Sequence, residues 1–211
     1  MAKKKSVARV VPRQARAQNT VDAILEATVL VLNREGLDAA STTRIAEVAG
    51  VSIGSLYQYF AHRDAILTAL QEREFERAVT MMQGLLAAEN MSHTPRDIAS
   101  AVVRGLAALY ANAPGLHRVL VIEGLRVAAA DRVHAFDVRV VDIISQFLQG
   151  TQAPLRRRNV RAAAFVAFQS VRATMLAMLL ERPEDLSEEQ LIDELVDLVL
   201  RYLVNDDALT G

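Results

Sequence analysis

The sequence predicts an all-α protein. Ala, Leu, Arg and Glu dominate the 211-residue chain, and apolar residues recur every three or four positions over most of its length. No stretch alternates apolar and polar residues as a half-buried strand does, and the five prolines fall between the periodic segments. Because short helices are stable only when their apolar faces pack together, a bundle of about nine helices is expected.

The apolar periodicity divides the chain into nine predicted helices. They cover residues 16–35, 42–49, 53–60, 64–88, 95–111, 115–125, 131–149, 156–181 and 187–204. Gly36 suits a left-handed C-cap for the first helix. Thr94 before Pro95 marks the start of the fifth helix, and Ser187 and Gln190 have capping-box spacing at the start of the last.

Charge separates a basic head from an acidic remainder. Residues 1–63 carry nine basic and five acidic side chains, a formal charge of +4, whereas the rest carries −5. This asymmetry indicates that only the head meets a polyanion, although for Lys3 to Lys5 alone a basic leader without a binding role is the better interpretation.

Cysteine content and hydropathy indicate the cellular compartment of the protein. The absence of cysteine excludes disulfide scaffolds and thiolate metal sites, and it fits a reducing compartment. No apolar run approaches the ~20 residues of a membrane span, and no signal-peptide core follows the basic N-terminus. A cytoplasmic protein without a membrane partner is therefore expected.

Residues 42–60, TTRIAEVAGVSIGSLYQYF, have the spacing of a helix-turn-helix. Gly50 can take the positive φ of a sharp turn, and Ala46 is small enough for the second helix to cross close over it. If Leu56 and either Tyr59 or Phe60 turn inward, the outward or edge positions are Ser52, Gly54, Ser55, Tyr57 and Gln58.

That outward face suits a DNA major groove better than solvent. Hydroxyl groups bind phosphates, and small residues at a helix N-terminus allow close approach to base edges. Gly54 destabilises the helix by roughly 1 kcal/mol relative to alanine, which fits a need for close approach to the DNA bases. Capping, packing or chance is the alternative interpretation of each residue taken singly.

The wider segment resembles a known family. GVSIGSLYQYF, followed by AHRDAIL and preceded by TVDAILEATVLVLNREGLDAASTTRIAEVA, closely resembles the DNA-binding domain of tetracycline-repressor-type (TetR family) transcription regulators over residues 14–70. The resemblance implies a basic arm and DNA-binding domain in residues 1–63, with the helix-turn-helix at 41–60, and a regulatory, ligand-binding and dimerisation domain in residues 64–211.

The resemblance also implies roles for single residues. Ser41 is implied as the N-cap of the second helix. At the start of the second helix, Thr42, Thr43 and Arg44 are implied to contact phosphates or bases. At the start of the recognition helix, Ile53, Gly54 and Ser55 are implied to read bases. Later in that helix, Tyr57, Gln58 and Tyr59 are implied to contact phosphates or the rim of the groove. Arg63, where the family usually has lysine, is implied as a phosphate clamp at a helix N-terminus. Ile53 can read only a thymine methyl group or nothing, because its side chain forms no hydrogen bonds.

A homodimer on a near-palindromic double-stranded operator is implied as well. Helices 156–181 and 187–204 are the candidate interface, since their apolar stripes are too wide for one partner, and burial within the monomer is the alternative. The family typically binds a small-molecule effector among its middle helices. Polar residues in those helices that could face a cavity, or else be surface or satisfied core residues, are Tyr110, His117, Glu123, Arg126, Gln169 and Arg172.

An enzyme is not expected. The four histidines lack the i, i+4 spacing of a metal-binding helix, and no glycine-rich loop could hold a phosphate, so no metal or cofactor is predicted either. Two functions remain. One is a sequence-specific transcriptional repressor that a small molecule releases from its operator. The other is a helical dimeric interaction protein with only weak or non-specific DNA binding.

Overall fold

The computed structural model describes residues 13–87, 94–124, 127–181 and 185–205, without the side chains of residues 13, 14, 123, 124 and 127–129. Within these residues the chain forms nine helices: α1 (Arg13–Arg34), α2 (Thr42–Ala49), α3 (Ile53–Tyr59), α4 (Arg63–Leu85), α5 (Pro95–Asn112), α6 (Pro114–Gly124), α7 (Val127–Gly150), α8 (Val160–Glu181) and α9 (Glu188–Leu203). The expected all-α class is confirmed. The chain divides into two compact units, one ending at Leu70 and one beginning at Gln71, so α4 contributes residues to both.

The first unit is a small bundle built on α1. This helix packs against α2, and α2 packs against α3. Ile24, Ile45, Leu56 and Ile66 are fully buried in this unit. Burying one such side chain stabilises the fold by about 2 kcal/mol, which is how a seven-residue helix such as α3 persists when it would not form alone.

Helix termini confirm the capping expected from the sequence. Gly36 has a φ of 84°, and its N–H donates to the Val31 carbonyl at 3.2 Å after α1 has ended. Thr94 and Ser187 both form complete capping boxes, with Asp97 and Gln190 respectively. These caps depend on residues three positions apart, and for that reason the sequence reveals them.

The second unit is arranged around α8. Helix α5 packs against α9, and α8 packs against both α7 and α9. Two buried apolar clusters lie in this unit: Ala164 and Phe168 of α8 belong to one, and Val171 and Met175 to the other. Among the described helices, α8 alone is long and apolar enough to cross a membrane by length and composition. Its buried residues identify it as the central core helix of the unit.

The start of α8 corrects the prediction. The helix was expected from residue 156 but begins at Val160. The Arg156 N–H instead donates to the Leu203 carbonyl at 2.9 Å, next to an isolated antiparallel bridge between Leu155 and Val204. The Asn159 side chain then accepts a hydrogen bond from the Ala162 N–H at 3.0 Å and caps the helix. Pairing with the end of α9 therefore holds residues 155 and 156 out of the helix.

Candidate nucleic-acid interface and effector cavities

The turn between α2 and α3 has the geometry that its sequence predicts. Gly50 has a φ of 67°, in the left-handed region, and its N–H donates to carbonyls at the end of α2. The Val51 N–H donates to the Ala46 carbonyl at 3.1 Å. Because Ala46 and Leu56 are both buried, the two helices meet on small and apolar side chains. This turn fixes which side of α3 faces outward.

The outward face of α3 is the one predicted from the sequence. Leu56 and Phe60 are buried, so the inner position left open between Tyr59 and Phe60 belongs to Phe60. Ile53, Tyr57 and Tyr59 are 41%, 52% and 38% exposed. Ser52, Gly54 and Gln58 are also exposed, and Ser55 is half-buried. Hydroxyl, amide and phenol groups therefore stand in solvent on a helix that carries no charged side chain.

Two side-chain contacts organise this face. Ser52 is the N-cap of α3, and its Oγ accepts from the Ser55 N–H at 3.0 Å and lies 2.8 Å from the Ser55 Oγ. The Tyr57 hydroxyl lies 3.1 Å from the Thr42 Oγ1, which joins α3 to the N-terminal end of α2. Capping explains Ser52, while the Thr42–Tyr57 pair brings two predicted contact residues to one surface. Thr43 is exposed beside them, and Ser41 caps α2 as expected.

Gly54 has no internal reason to be glycine. A Cβ built on Gly54 would meet only the Ser52 Oγ, at 3.9 Å, which is an ordinary van der Waals contact. Its φ lies outside the positive region that favours glycine, in contrast to Gly50. Since alanine would fit and would stabilise the helix, the chain itself does not require the small residue.

Arg44 is paired within the protein. Its guanidinium binds Glu35 through two nitrogens, with Nη2 2.8 Å from Oε1 and Nε 3.1 Å from Oε2, and its Nη1 lies 2.9 Å from Glu47 Oε2. The hydrogen bond from Arg44 lowers the pKa of the Glu35 carboxyl, and the two carboxylates raise the pKa of Arg44. The sequence did not reveal this clamp, because Glu35 lies nine residues away across a loop.

The N-terminus of α4 carries the second predicted cation. Arg63 is the first residue of the helix, is partly exposed, and has its Nε 3.7 Å from Asp64 Oδ1. The His62 Nδ1 accepts a hydrogen bond from the Ala65 N–H at 3.2 Å and so caps the helix. This capping role of His62 was missed, because histidine is not among the residues that signal an N-cap.

The second unit contains a large apolar cavity. Its volume is about 640 Å³, within the range of small-molecule sites. Residues of α4, α5, α7, α8 and α9 line it, among them Met82, Val103, Ile144, Phe147 and Leu203. The sequence could not reveal this cavity, because side chains that line an apolar cavity have the same pattern as side chains that fill a core.

A smaller cavity of about 260 Å³ is lined by three of the six predicted polar residues. Tyr110, His117 and Arg172 line it. Gln169 does not line it, but its Oε1 accepts from the Arg172 Nη2 at 2.8 Å. Of the remaining predicted effector contacts, Arg126 and the Glu123 side chain lie outside the described residues. Gln71 and Glu74, both buried polar residues of α4, line the same cavity and were not predicted.

His117 is a buried, neutral group in this smaller cavity. Only 6% of the residue is exposed, and burial lowers its pKa to about 4 against the opposing effect of a hydrogen bond to the Leu109 backbone. Its Nε2 is buried and has no hydrogen-bond partner. The Tyr110 ring lies 4.8 Å from the imidazole, centroid to centroid, and burial raises the pKa of Tyr110. Both side chains are therefore uncharged near pH 7.

One face of α8 and part of α9 expose apolar side chains. Phe165 is 50% exposed and Leu198 47%, and Val166 and Leu180 are similarly exposed. The opposite face of α8 is buried, so the stripe lies outside the core that the chain forms by itself.

In the ranges that the structure describes, no group of three or more His, Asp or Glu could hold a metal ion.

Family models match both units of the chain. Residues 94–203 match the model described as "Tetracyclin repressor-like, C-terminal domain". Residues 24–70 match "Bacterial regulatory proteins, tetR family".

Individual relatives match over shorter stretches. The uncharacterized HTH-type transcriptional regulator YvdT of Bacillus subtilis is 32% identical over 75 residues, which are 36% of this chain and 39% of YvdT. The HTH-type transcriptional repressor KstR of Mycolicibacterium smegmatis is 39% identical over 54 residues, 26% of each protein. The match thus spans well under half the length of either relative.

The fold extends further than the sequence likeness. The crystal structure of a TetR-family transcriptional regulator from Streptomyces coelicolor aligns with a TM-score of 0.66 at 24% identity, over 89% of this chain and 97% of that one. At this identity the likeness concerns the fold alone. Since the C-terminal model alone covers more than half of the residues and the N-terminal model covers the helix-turn-helix, this chain belongs to the TetR family of bacterial regulatory proteins.

Proposed function

We propose that the protein is a cytoplasmic, dimeric, sequence-specific repressor that leaves its operator when a small molecule binds. The observation that carries this proposal is the outward face of α3, which exposes hydroxyl, amide and phenol groups around a glycine that the fold does not need. A helix with small residues at its N-terminal end can enter the major groove and bring its side chains to base edges. The proposal includes no catalytic step.

The residues of the face divide by what their groups can bind. Ser55 and Gln58 can form hydrogen bonds with bases, Ile53 can contact a thymine methyl group, and Gly54 permits the approach. Thr42, Thr43, Tyr57 and Tyr59 carry hydroxyl groups suited to phosphates at the groove rim. Ser52 serves first as the N-cap, so its contribution to DNA binding is through the position of α3.

The two predicted arginines differ in what they can contribute. Arg63 stands at a helix N-terminus, where a cation and backbone N–H groups together suit a phosphate. Arg44 would have to exchange Glu35 and Glu47 for a phosphate. We therefore assign Arg63 the larger share of the salt-sensitive affinity and assign Arg44 chiefly the positioning of α2.

Dimerisation is proposed through the exposed apolar stripe of α8 and α9. Its four large side chains are Phe165, Val166, Leu180 and Leu198. In a two-fold dimer the same stripe on both copies would be covered at once, as a four-helix bundle requires. A dimer also places two α3 helices on one duplex, which fits a near-palindromic operator.

DNA binding is tested by selecting duplexes from a randomised library with the purified protein and measuring the affinity for the selected site. Gly54→Ala should weaken that affinity roughly ten-fold, about 1.4 kcal/mol, although it stabilises the helix. Gly84→Ala is the matched control, because Gly84 is also helical with open space around a Cβ. Tyr57→Ala should weaken binding as well.

Two results would count against the proposal. If the protein binds selected and shuffled duplexes equally, the interaction protein with non-specific DNA binding is the better interpretation. If Gly54→Ala binds the selected site as tightly as Gly84→Ala does, α3 does not approach the bases. For a true operator, affinity should also fall steeply with salt, because each phosphate contact releases counterions.

A further inference from the structure

The larger apolar cavity and the smaller cavity around His117 adjoin each other. Four residues, Ala78, Leu106, Phe136 and Phe168, line both of them. The Phe136 ring stacks on Phe75 at 4.3 Å and meets the Phe168 ring edge-on at 6.1 Å, so aromatic side chains form part of the shared wall. A ligand long enough to occupy both cavities would meet an apolar region and then a polar one.

The larger cavity offers a ligand almost no polar partners. Its lining is aliphatic and aromatic except for Thr151 and Gln152. An apolar body gains about 25 cal/mol for each Å² that it removes from water, whereas a polar group without a partner there loses free energy. This cavity therefore suits a hydrocarbon portion of the ligand.

His117, which lines the smaller cavity, carries a buried acceptor without a donor. The His117 Nε2 is buried without a partner, while the other ring nitrogen donates a hydrogen bond to the Leu109 backbone carbonyl. Since that bond fixes the proton on Nδ1, Nε2 has a free lone pair. Asp137, whose Oδ1 is buried and also lacks a hydrogen-bond partner, is not among the residues that line this cavity. Buried polar atoms in a native protein are nearly always paired, so an acceptor in this position favours a ligand that carries a hydrogen-bond donor.

Charged groups around the smaller cavity are already compensated. The Arg172 Nη2 lies 3.3 Å from the Asp137 Oδ2, which also accepts from Gln169 at 2.9 Å. The Glu74 carboxylate lies 2.8 Å from the Arg77 Nη1. An anionic ligand group would have to displace Asp137 from Arg172 and would lie near Glu74. An uncharged donor meets neither obstacle.

We propose that the effector is an elongated, mainly apolar molecule with an uncharged hydroxyl group, whose body occupies the larger cavity and whose O–H donates to the His117 Nε2. This inference rests on the proposed function for its biological meaning, but the binding event itself does not require DNA. His117 is thus assigned as a specificity-determining residue that separates alcohols from ethers and carboxylates of the same length.

The test uses the 211-residue protein without DNA at pH 7 and three C12 probes: 1-dodecanol, its methyl ether and dodecanoate. Displacement of a fluorescent apolar dye reports affinity. The alcohol should bind roughly ten-fold more tightly than the ether, because the ether leaves Nε2 unpaired. Equal affinity for alcohol and ether, or tighter binding of the carboxylate, overturns the assignment.

Variants separate the contribution of the polar end from that of the apolar body. His117→Phe should abolish the preference for alcohol over ether, and His117→Gln, which keeps an acceptor, should restore part of it. Ile144→Trp, which fills the larger cavity, should weaken alcohol and ether equally. His134→Phe, at an exposed position, is the control and should change neither. A preference that survives in a folded His117→Phe protein refutes the role of His117.

DNA binding is measured in a separate arm. If 1-dodecanol binds with the expected preference and the selected duplex is not released, the repressor mechanism fails and the ligand assignment stands. If the duplex is bound specifically and the three probes do not differ, the ligand assignment fails and the DNA-binding proposal stands.

Discussion

Acidification should destabilise this protein through His117. The folded state holds the imidazole neutral with a pKa of about 4, whereas the unfolded chain returns it to its ordinary value of 6.5. Between these two values the unfolded state binds a proton that the folded state does not, so stability rises with pH and is lost as pH falls. A difference of one pKa unit corresponds to about 1.36 kcal/mol. Lowering the pH from 7 to 4.5 should therefore reduce the free energy of unfolding by about 2 kcal/mol through this residue alone.

The measurement is urea unfolding followed by circular dichroism at pH 7 and pH 4.5, for the wild type and His117→Gln. Carboxylates contribute to acid sensitivity in both proteins, so the informative quantity is the difference between their losses in unfolding free energy. His134→Gln, at an exposed position, should behave like the wild type. If His117→Gln loses as much stability as the wild type on acidification, His117 is not held neutral by burial and the reasoning is wrong.

Three further predictions concern the turn, the core and the proposed dimer. Gly50→Ala should lower the unfolding free energy by about 1 kcal/mol, because alanine is strained at a φ of 67°; chemical denaturation measures this, and an unchanged midpoint contradicts it. Leu56→Ala should cost about 2–5 kcal/mol, since the side chain is fully buried, and thermal unfolding that matches the wild type would contradict it. Phe165→Glu should yield a monomer in analytical ultracentrifugation while Ile122→Glu, equally exposed on α6, stays dimeric; a Phe165→Glu dimer refutes the interface.

Local features of this fold could be predicted from the sequence. The turn at Gly50, the caps at Thr94 and Ser187, and the buried side of α3 all depend on residues within a few positions of one another. Burial of Leu56 against exposure of Tyr57 follows from helical periodicity alone. The surface proposed to bind DNA can therefore be predicted from the sequence, although its role in binding stays a prediction.

Features that depend on distant residues could not be predicted. The Arg44–Glu35 clamp joins α2 to the residue that follows α1, and the bridge between Leu155 and Val204 delays the start of α8. The apolar cavity has the same residue pattern as a solid core, because periodicity reports which side of a helix is buried and not how well it is packed. The sequence identifies His117 as a polar residue in an apolar helix, but the lack of a partner for its Nε2 depends on how the helices pack around it.

The bare outer side of α3 has a consequence for mutability. Ile53, Gly54 and Gln58 project away from the core, and no side-chain hydrogen bond or ion pair described in the structure ties them to the rest of the chain. Replacements at these three positions should leave the folded protein intact, so nearly all members of a library randomised there should still fold. New target preferences could then be selected, in evolution or at the bench, without compensating changes elsewhere.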